Sequence, residues 1–561
     1  MSGPPAGEGI RDRGPIDTEV LIVGAGPVGL SLSIALARSG VPSLVVERHP
    51  GTAIHPKARG VNGRTMEIFG QWGLGDAVRD AGLSAADSGF FFRGATLTAE
   101  RFKRFGGAGQ AAEAESLSPA SWMVIAQDAL EPVLLRRIEE TGLGRVWFGH
   151  ELTGFEVDAE GSVRAEVLDR AHGQTRVIRA SWMVGADGAA SPTRERLGIP
   201  LIGHGPLVRN ASILFRADLG AVTADRRSAV YYLAGDEDVR PRGYPMSVGN
   251  PPPDGALLAI NNDDRWLLVV GHDGDETLAD LGVERCVDLV RRAVGIPDLP
   301  VEVVSLMPWA PAARVAERYR SGPVLLAGDA AHEMTPSGAF GLNVGVADAH
   351  NLGWKLGAVA RGWASPTLLD TYDAERRPVG TLAAEESYLQ FSGARSARPF
   401  GNWGLTFGPV YESSAVVPDG SPAPLVDDPI ADYVPSARPG HRAPHVSLRA
   451  PARRRSTLDL FGDGFVLLTG SGPWAAAGEM VTGRLGLPLA VRRLGQDVEP
   501  EDPAAFERQY GIGSRGAVLV RPDGYVAWRS AADPGATAAD PGPMAPAQLE
   551  GALRSILGRP S

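Results

Sequence analysis

Three short stretches of this chain carry residue types and spacings suited to holding a phosphate-linked cofactor. The first is Gly24-Ala25-Gly26-Pro27-Val28-Gly29, a G-x-G-x-x-G between an apolar run and a helical one. Glycines at those places permit a tight turn, close approach of backbone to a pyrophosphate, and close helix–strand contact. A helix starting at Pro27 would offer free N–H groups and the positive end of its dipole to phosphates. Glu47 ends the next apolar run, at the distance where a carboxylate accepts from both hydroxyls of an adenosine ribose. By itself the pattern suits NAD and FAD equally, and a bare glycine-rich turn also satisfies it.

The second stretch is Val184-Gly185-Ala186-Asp187-Gly188, followed by Ser191 and Arg194. The third is Leu326-Ala327-Gly328-Asp329-Ala330-Ala331-His332, followed by Pro336-Ser337-Gly338-Ala339-Phe340-Gly341-Leu342-Asn343. A carboxylate at a strand end, Asp329, suits a ribityl chain. The helix start after Gly341 suits a pyrophosphate or a polarised flavin pyrimidine. One Asp-Gly is usually only a turn. Three such elements in this order point to FAD. Tyr231 and Tyr232 are adjacent in an apolar run, so their side chains must leave a strand on opposite faces.

The elements that position these residues can be read from periodicity. Residues 19–23, a helix over 27–39 and residues 43–47 form a β-α-β unit that opens a parallel sheet. A helix covers 125–139, and residues 147–186 read as an antiparallel meander returning to that sheet. Strand candidates crowd 206–272 without intervening helices, as a separate β-rich layer. Helix 281–294, strands 301–309 and 323–331, and long helices over 343–362 and 366–390 follow. The Pro-rich stretch 416–444 reads as a linker before a final α/β module. The class is therefore α/β. Residues 1–16 are expected as a disordered tail. A discontinuous Rossmann-like domain covers 17–200 and 301–400, a β-rich substrate layer 201–300, and a last domain 420–561. Met66, Ile68 and Phe69 are expected to pack the first of these.

Composition excludes several classes. Hydrophobic residues at 43% and charged residues at 22% are ordinary for a globular chain. A net charge of −11 and the lack of a basic tract argue against nucleic acid and anionic membranes as partners. Cys286 is the only cysteine, which removes intrachain disulfides and Cys-x-x-Cys redox pairs. A reducing, cytoplasmic setting fits that usage. No secretory signal or membrane span is legible: Val20–Ala37 is long, but glycines and Pro27 interrupt it.

With those motifs in place, the chain resembles the FAD-dependent aromatic hydroxylases of the p-hydroxybenzoate hydroxylase type. Their three signatures match Gly24–Gly29, Asp187-Gly188 and Gly328-Asp329. Further likeness in HGPL (204–207), AVYYL (229–233), TYDAERRP (371–378), STLDLFGDGF (456–465) and QYGIGSRGAVLVRPDGYVAWR (509–529) is to the aromatic-polyketide hydroxylases, the aklavinone 11-hydroxylase type above all. The resemblance implies that Arg59 and Gln127 bind FAD, with Arg48 beside the adenine and Leu152 also in the cofactor set. It implies a thioredoxin-like fold for 420–561, a module that without cysteine cannot exchange dithiols. The expected role of that module is structural or dimer-supporting.

The implied reaction is hydroxylation of a polycyclic aromatic polyketide, a phenol or quinone, in antibiotic biosynthesis. NADPH or NADH reduces the flavin as a transient co-substrate, O2 adds, and a C4a-hydroperoxyflavin delivers oxygen. Tyr232 is implied as proton acceptor near the substrate, and Arg395 as a second pocket residue. His55 and His332 flank the flavin loops as structural polar groups. Ala339 and Phe340 stand where many relatives have a Gly-Gly pair, and are expected to narrow the space beside the isoalloxazine. Alternatives are a Baeyer–Villiger or oxidative-rearrangement monooxygenase on the same scaffold, and a non-catalytic flavoprotein. A homodimer is the expected assembly.

Overall fold

Val20, Leu21 and Ile22 are wholly buried, and they place β1 (Ile16–Val23) at the centre of the first sheet. The computed structural model describes residues 16–105, 109–233, 255–272, 282–396, 401–449, 455–470, 473–530 and 545–560. Up to Pro15, the expected N-terminal tail lies outside these residues. Helix α1 (Pro27–Arg38) and strand β2 (Ser43–Glu47) follow β1. β2 pairs with β1 in parallel, and the strand Gly144–Phe148 pairs with β2 in parallel. On the other side of β1 lie the strands Gln174–Gly185 and then Val324–Leu326, both parallel. The expected meander is present: His150–Val157 and Val163–Asp169 run antiparallel into Gln174–Gly185. Met66, Ile68 and Phe69 are buried in the core on one face of this sheet.

The second sheet has seven strands and is wider than the sequence suggests. Arg209–Arg216, Val230–Leu233, Gly255–Ala259 and Arg265–His272 fall inside the expected 201–300. Glu302–Trp309 pairs with Arg209–Arg216 at one edge. At the other, Phe91–Gly94 pairs in parallel with Val230–Leu233 and is followed by Lys103–Phe105. The β-layer thus recruits strands from both flanking segments. An isolated antiparallel sheet would leave open edges, and these strands cover them. The helix Val283–Val294 packs Cys286, Val290 and Ala293 against one face of the layer. Residues 234–254 and 273–281 of the expected layer lie outside the described residues.

Two long helices, Phe340–Ala360 and Asp370–Phe391, close the first sheet. The stretch read as a linker is irregular but packed: Ile430, Ala437, Arg442 and Ala443 are all at most 3% exposed. It runs between the two halves of the molecule as filling. The last module is a four-stranded mixed sheet, with Phe465–Thr469 parallel to Leu489–Arg493 and antiparallel to Ala517–Val520. Helices Pro473–Leu485 and Ala545–Ile556 complete a thioredoxin-like arrangement.

Candidate flavin site

The glycine loop meets the geometric demands of the motif. Gly24 has φ +104°, and a Cβ there would collide with the Ala186 carbonyl. A Cβ on Gly29 would strike the Gly24 carbonyl, so α1 approaches the loop closely only because that residue is glycine. Gly26 differs: a Cβ there meets nothing within 4 Å. The space above the loop is open where a pyrophosphate would lie. Gly26 is also the N-cap of α1, with Pro27 in the first turn, no side-chain cap and no acidic residue there. The helix start is therefore left for an anion. Val28, from the same turn, packs where Gly328 and Gly345 lack side chains.

Glu47 holds this loop in shape. Its Oε2 accepts from Ala25 N at 2.9 Å, and its Oε1 from His49 N at 2.9 Å. Arg48 is exposed beside it. Gln127 starts the helix Gln127–Thr141, and its Nε2 donates to Glu131 Oε1 at 2.7 Å. Glu131 also accepts from Ala53 N at 2.6 Å, tying the loop after β2 to this helix. Burial raises the Glu131 carboxyl, against the lowering effect of those hydrogen bonds. In the same loop His55 is buried and meets Ser305 Oγ at 2.7 Å. Arg59 donates to Ala229 O at 2.8 Å, so the flavin loop touches the strand that carries Tyr232.

Asp187 caps its own turn. Its Oδ1 accepts from Ser191 Oγ at 2.5 Å and its Oδ2 from Thr193 N at 3.0 Å. Arg194 then bridges to the third motif, donating to Ala189 O at 2.9 Å and to Ala330 O at 3.3 Å. Asp329 stands at the end of Val324–Leu326, on a short helical turn. The residue is exposed overall, with protein atoms crowding its carboxyl. That desolvation raises its carboxyl, which Glu333 reinforces and His332 and Lys57 oppose. Among the described residues nothing donates to this carboxylate. A Cβ on Gly341 would lie 3.9 Å from Asp329 Oδ1, so the carboxylate sits by the start of Phe340–Ala360. That helix also begins without a side-chain cap.

These observations fit FAD. An open glycine loop, two uncapped helix starts and a strand-end carboxylate without a protein donor lie together, with Val28 packed on Gly328 and Asp329 beside Gly341. Pro336 begins the turn that leads into the second helix, and Leu342 packs against the main core.

Some candidates take different positions from those expected. The Asn343 side chain is fully engaged by protein: it accepts from Asn62 N and Thr65 Oγ1, and donates to Gly60 O and Ala339 O, at 2.7–3.0 Å. Only its main chain remains for a ligand. Leu152 packs on the far core of the first sheet, beside Val23 and Val46. Phe340 is turned back over Gly338 and buried with Val344, Ala383 and Leu405. Ala339 does face Gly60 and the Trp122 ring, at a strained φ of +53°. Arg395 donates to Glu386 Oε2 at 2.8 Å, an ion pair back to the helix Asp370–Phe391 that precedes it. Tyr231 is wholly buried and its hydroxyl donates to Arg226 O at 2.8 Å. Tyr232 is half-buried on the opposite face, edge-on to Phe91.

Sequence reasoning missed Asp348. It is wholly buried and accepts from Gly328 N at 3.2 Å and from Arg376 Nε at 2.8 Å, with His332 Nε2 at 2.6 Å. It therefore holds the Gly328-Asp329 turn from behind. Burial alone would raise its carboxyl, and His332 and Arg376 reverse this and hold it below its ordinary value. The signal was present as Asp348, Asn351 and Lys355 on one helix face, inside an otherwise apolar segment.

Among the described residues no helix is long and apolar enough to cross a membrane, and no cluster of His, Cys, Asp and Glu suits a metal. Comparison with known proteins agrees with the cleft. Aklavinone 12-hydroxylase RdmE of Streptomyces purpurascens is 38% identical over 569 residues, 97% of this chain and 99% of that one. Tetracenomycin A2 monooxygenase-dioxygenase of Streptomyces glaucescens is 37% identical over 571 residues, covering 97% and 98%. The crystal structure of aklavinone-11 hydroxylase with FAD and aklavinone superposes with a TM-score of 0.84 at 37% identity, over 98% of this chain and all of that one. An FAD-binding-domain family model matches residues 17–387, and the aromatic-ring hydroxylase C-terminal model matches 436–560. With both models matched in order and the cleft shaped for the cofactor, this chain belongs to the FAD-dependent aromatic-ring hydroxylases.

Proposed function

We propose that this chain hydroxylates a polycyclic aromatic polyketide, a phenol or quinone of several fused rings. NADPH or NADH and a proton are consumed with O2. One oxygen atom enters the ring and the other leaves as water. The observation that carries this reading is the whole-length likeness to aklavinone- and tetracenomycin-oxidising relatives, with the flavin cleft intact. When bound, FAD supplies the activation of dioxygen and its transfer as an electrophile. The protein's share is to hold the ring in place, exclude water, and keep the phenol deprotonated as oxygen arrives.

Tyr232 is the residue we assign to the proton. In its ionised form its Oη accepts the phenolic proton and becomes neutral tyrosine, which enriches the ortho and para carbons of the substrate phenolate. Its support is position: the strand Val230–Leu233 begins next to Ala229, whose carbonyl the flavin-loop Arg59 engages. Arg395 is not carried forward, given its pairing with Glu386. A second reading, insertion of more than one oxygen, is favoured by the tetracenomycin relative's name.

The test is turnover of a panel of polycyclic hydroxyquinones with NADPH under isotopically heavy dioxygen. The expected product gains one heavy oxygen on a ring carbon. A product carrying a second heavy oxygen would favour the second reading. A lactone would instead indicate Baeyer–Villiger chemistry. NADPH oxidation yielding only hydrogen peroxide across the panel would sink the proposal. Tyr232→Phe should lower kcat by about a hundredfold and flatten the alkaline rise of the pH profile. Tyr231→Phe should keep kcat and cost about 1 kcal/mol of stability through its lost buried hydrogen bond.

A further inference from the structure

The cysteine-free last module meets the flavin domain through an apolar contact with Trp354, Ala358 and Leu368, and through a polar turn, Arg521-Pro522-Asp523-Gly524-Tyr525. Arg521 is wholly buried and donates to Glu375 Oε1 at 2.7 Å and to Glu375 Oε2 at 2.8 Å. It also donates to both oxygens of Asp523, at 3.0 and 2.5 Å. Asn351 Nδ2 is shared between Glu375 at 2.7 Å and Asp523 at 3.2 Å. Lys355 donates to Glu375 at 2.7 Å. Asn351 and Lys355 lie on the helix Phe340–Ala360, on the face that also carries Asp348. Arg376, next to Glu375, donates to Asp348 at 2.8 Å and to Val344 O at 3.0 Å. Asp348 accepts from Gly328 N. An unbroken chain of charged hydrogen bonds and one peptide link thus joins Arg521 to the turn carrying Asp329.

The same turn grips a second helix. Arg64, on Gly63–Gln71, donates to Asp523 O at 2.7 Å. Its other partner is Glu67 at 2.9 Å, which Arg442 also engages. Asn62, the N-cap of this helix, meets Asn343 in the first turn of Phe340–Ala360. The module therefore holds both helices whose first turns are joined at Asn62 and Asn343 behind the flavin cleft. Tyr525 stacks on Tyr411 at 3.9 Å, and Tyr411 accepts from Arg376.

We propose that the last module is a clamp that sets the geometry of the flavin cleft, with Arg521 and Asp523 as its positioning residues. It acts as a fixed ionic part of the FAD site, without redox chemistry of its own. The proposal rests on FAD binding and not on the substrate proposed above.

The test compares full-length holoprotein with Arg521→Met, Arg521→Lys, and a control, Leu468→Ala, in the module's own apolar core. FAD Kd and the flavin's visible spectrum and fluorescence are read at a temperature where near-UV circular dichroism shows each variant folded. Arg521→Met should raise the FAD Kd by about tenfold and shift the flavin spectrum, as expected for one lost charge-assisted buried contact. Arg521→Lys keeps the charge without the two-pronged fit and should give an intermediate Kd. It also serves if Arg521→Met does not fold. Leu468→Ala should lower the Tm with Kd and spectrum unchanged. Unchanged Kd in the folded Arg521 variants, or an equal rise in the control, would overturn the proposal.

Discussion

Asp329 concentrates the residue-scale argument. Its carboxylate is pushed up by desolvation and has no donor among the described residues. The residue is exposed, so water can serve this carboxylate, and a ribityl hydroxyl would take that place. A donor from FAD favours the ionised form. FAD affinity should therefore fall as pH drops through the raised value of Asp329. In Asp329→Asn that acid limb should be flat, a difference readable from flavin fluorescence titrations across pH. Asp329→Ala should purify largely without flavin, judged by the ratio of flavin to protein absorbance. Full occupancy in that variant would sink the assignment. Asn343 teaches the reverse lesson. It stands at the cleft, yet its amide has no capacity left, because two donors and one acceptor oxygen already serve four protein partners.

At the scale of elements, the β1–α1 turn separates two kinds of glycine. Gly24 is required by its own backbone, with φ +104° and the Ala186 carbonyl in the way of a side chain. Gly24→Ala should cost about 2–4 kcal/mol of stability even without cofactor. Gly26 has ordinary backbone angles and open space, so Gly26→Ala should leave the apoprotein within about 0.5 kcal/mol of the parent. Its methyl would occupy the space of the pyrophosphate, and FAD Kd should rise more than about tenfold. Denaturant melts of apoprotein and FAD titrations read the two effects separately. Equal stability losses in both variants would show that Gly26 serves the fold and not the ligand.

For the whole molecule, the junction between the flavin domain and the last module joins an apolar contact around Trp354 and Leu368 to a buried ionic network. Glu67, Asp348 and Glu375 are buried, and burial alone would raise their carboxyls. Arg442 and Arg64, His332 and Arg376, and Arg521 and Lys355 respectively reverse this and hold them below their ordinary values. Their unfolded forms bind protons more readily, so the stability they contribute is present above the ordinary values. It is lost as pH falls below about 4.5, the unfolded value for Glu375. Burial lowers Lys355 to about 8, despite its pairing with Glu375. Its contribution runs the same way, improving as pH rises from about 8 toward its ordinary 10.5. The Tm should fall steeply on the acid side. Glu375→Gln should lose about 3 kcal/mol near neutrality, by leaving buried cations unpaired, and show a shallower acid limb. Calorimetry across pH checks both, and an acid limb unchanged in Glu375→Gln would contradict the account.

What the sequence determined by itself is local. Apolar runs punctuated by Gly24, Gly26 and Gly29, the acid at Glu47, and the Gly-Asp turn at Asp329 are legible because a strand, a tight turn and a helix start each declare themselves within a few residues. Alternation alone was enough to separate Tyr231 from Tyr232. The tertiary structure decided everything that depends on distant partners. Phe91–Gly94 joins the β-layer by parallel pairing with a strand well over a hundred residues downstream, and nothing in a short apolar run names a parallel partner. Rotation of the Phe340 ring into a core was settled by Ala383 and Leu405. Arg521 meets Glu375 across 146 residues. Read along the chain, each of these charges looks like a solvated surface group. Only folding brings them together out of water, where a buried charge must find its counter-charge.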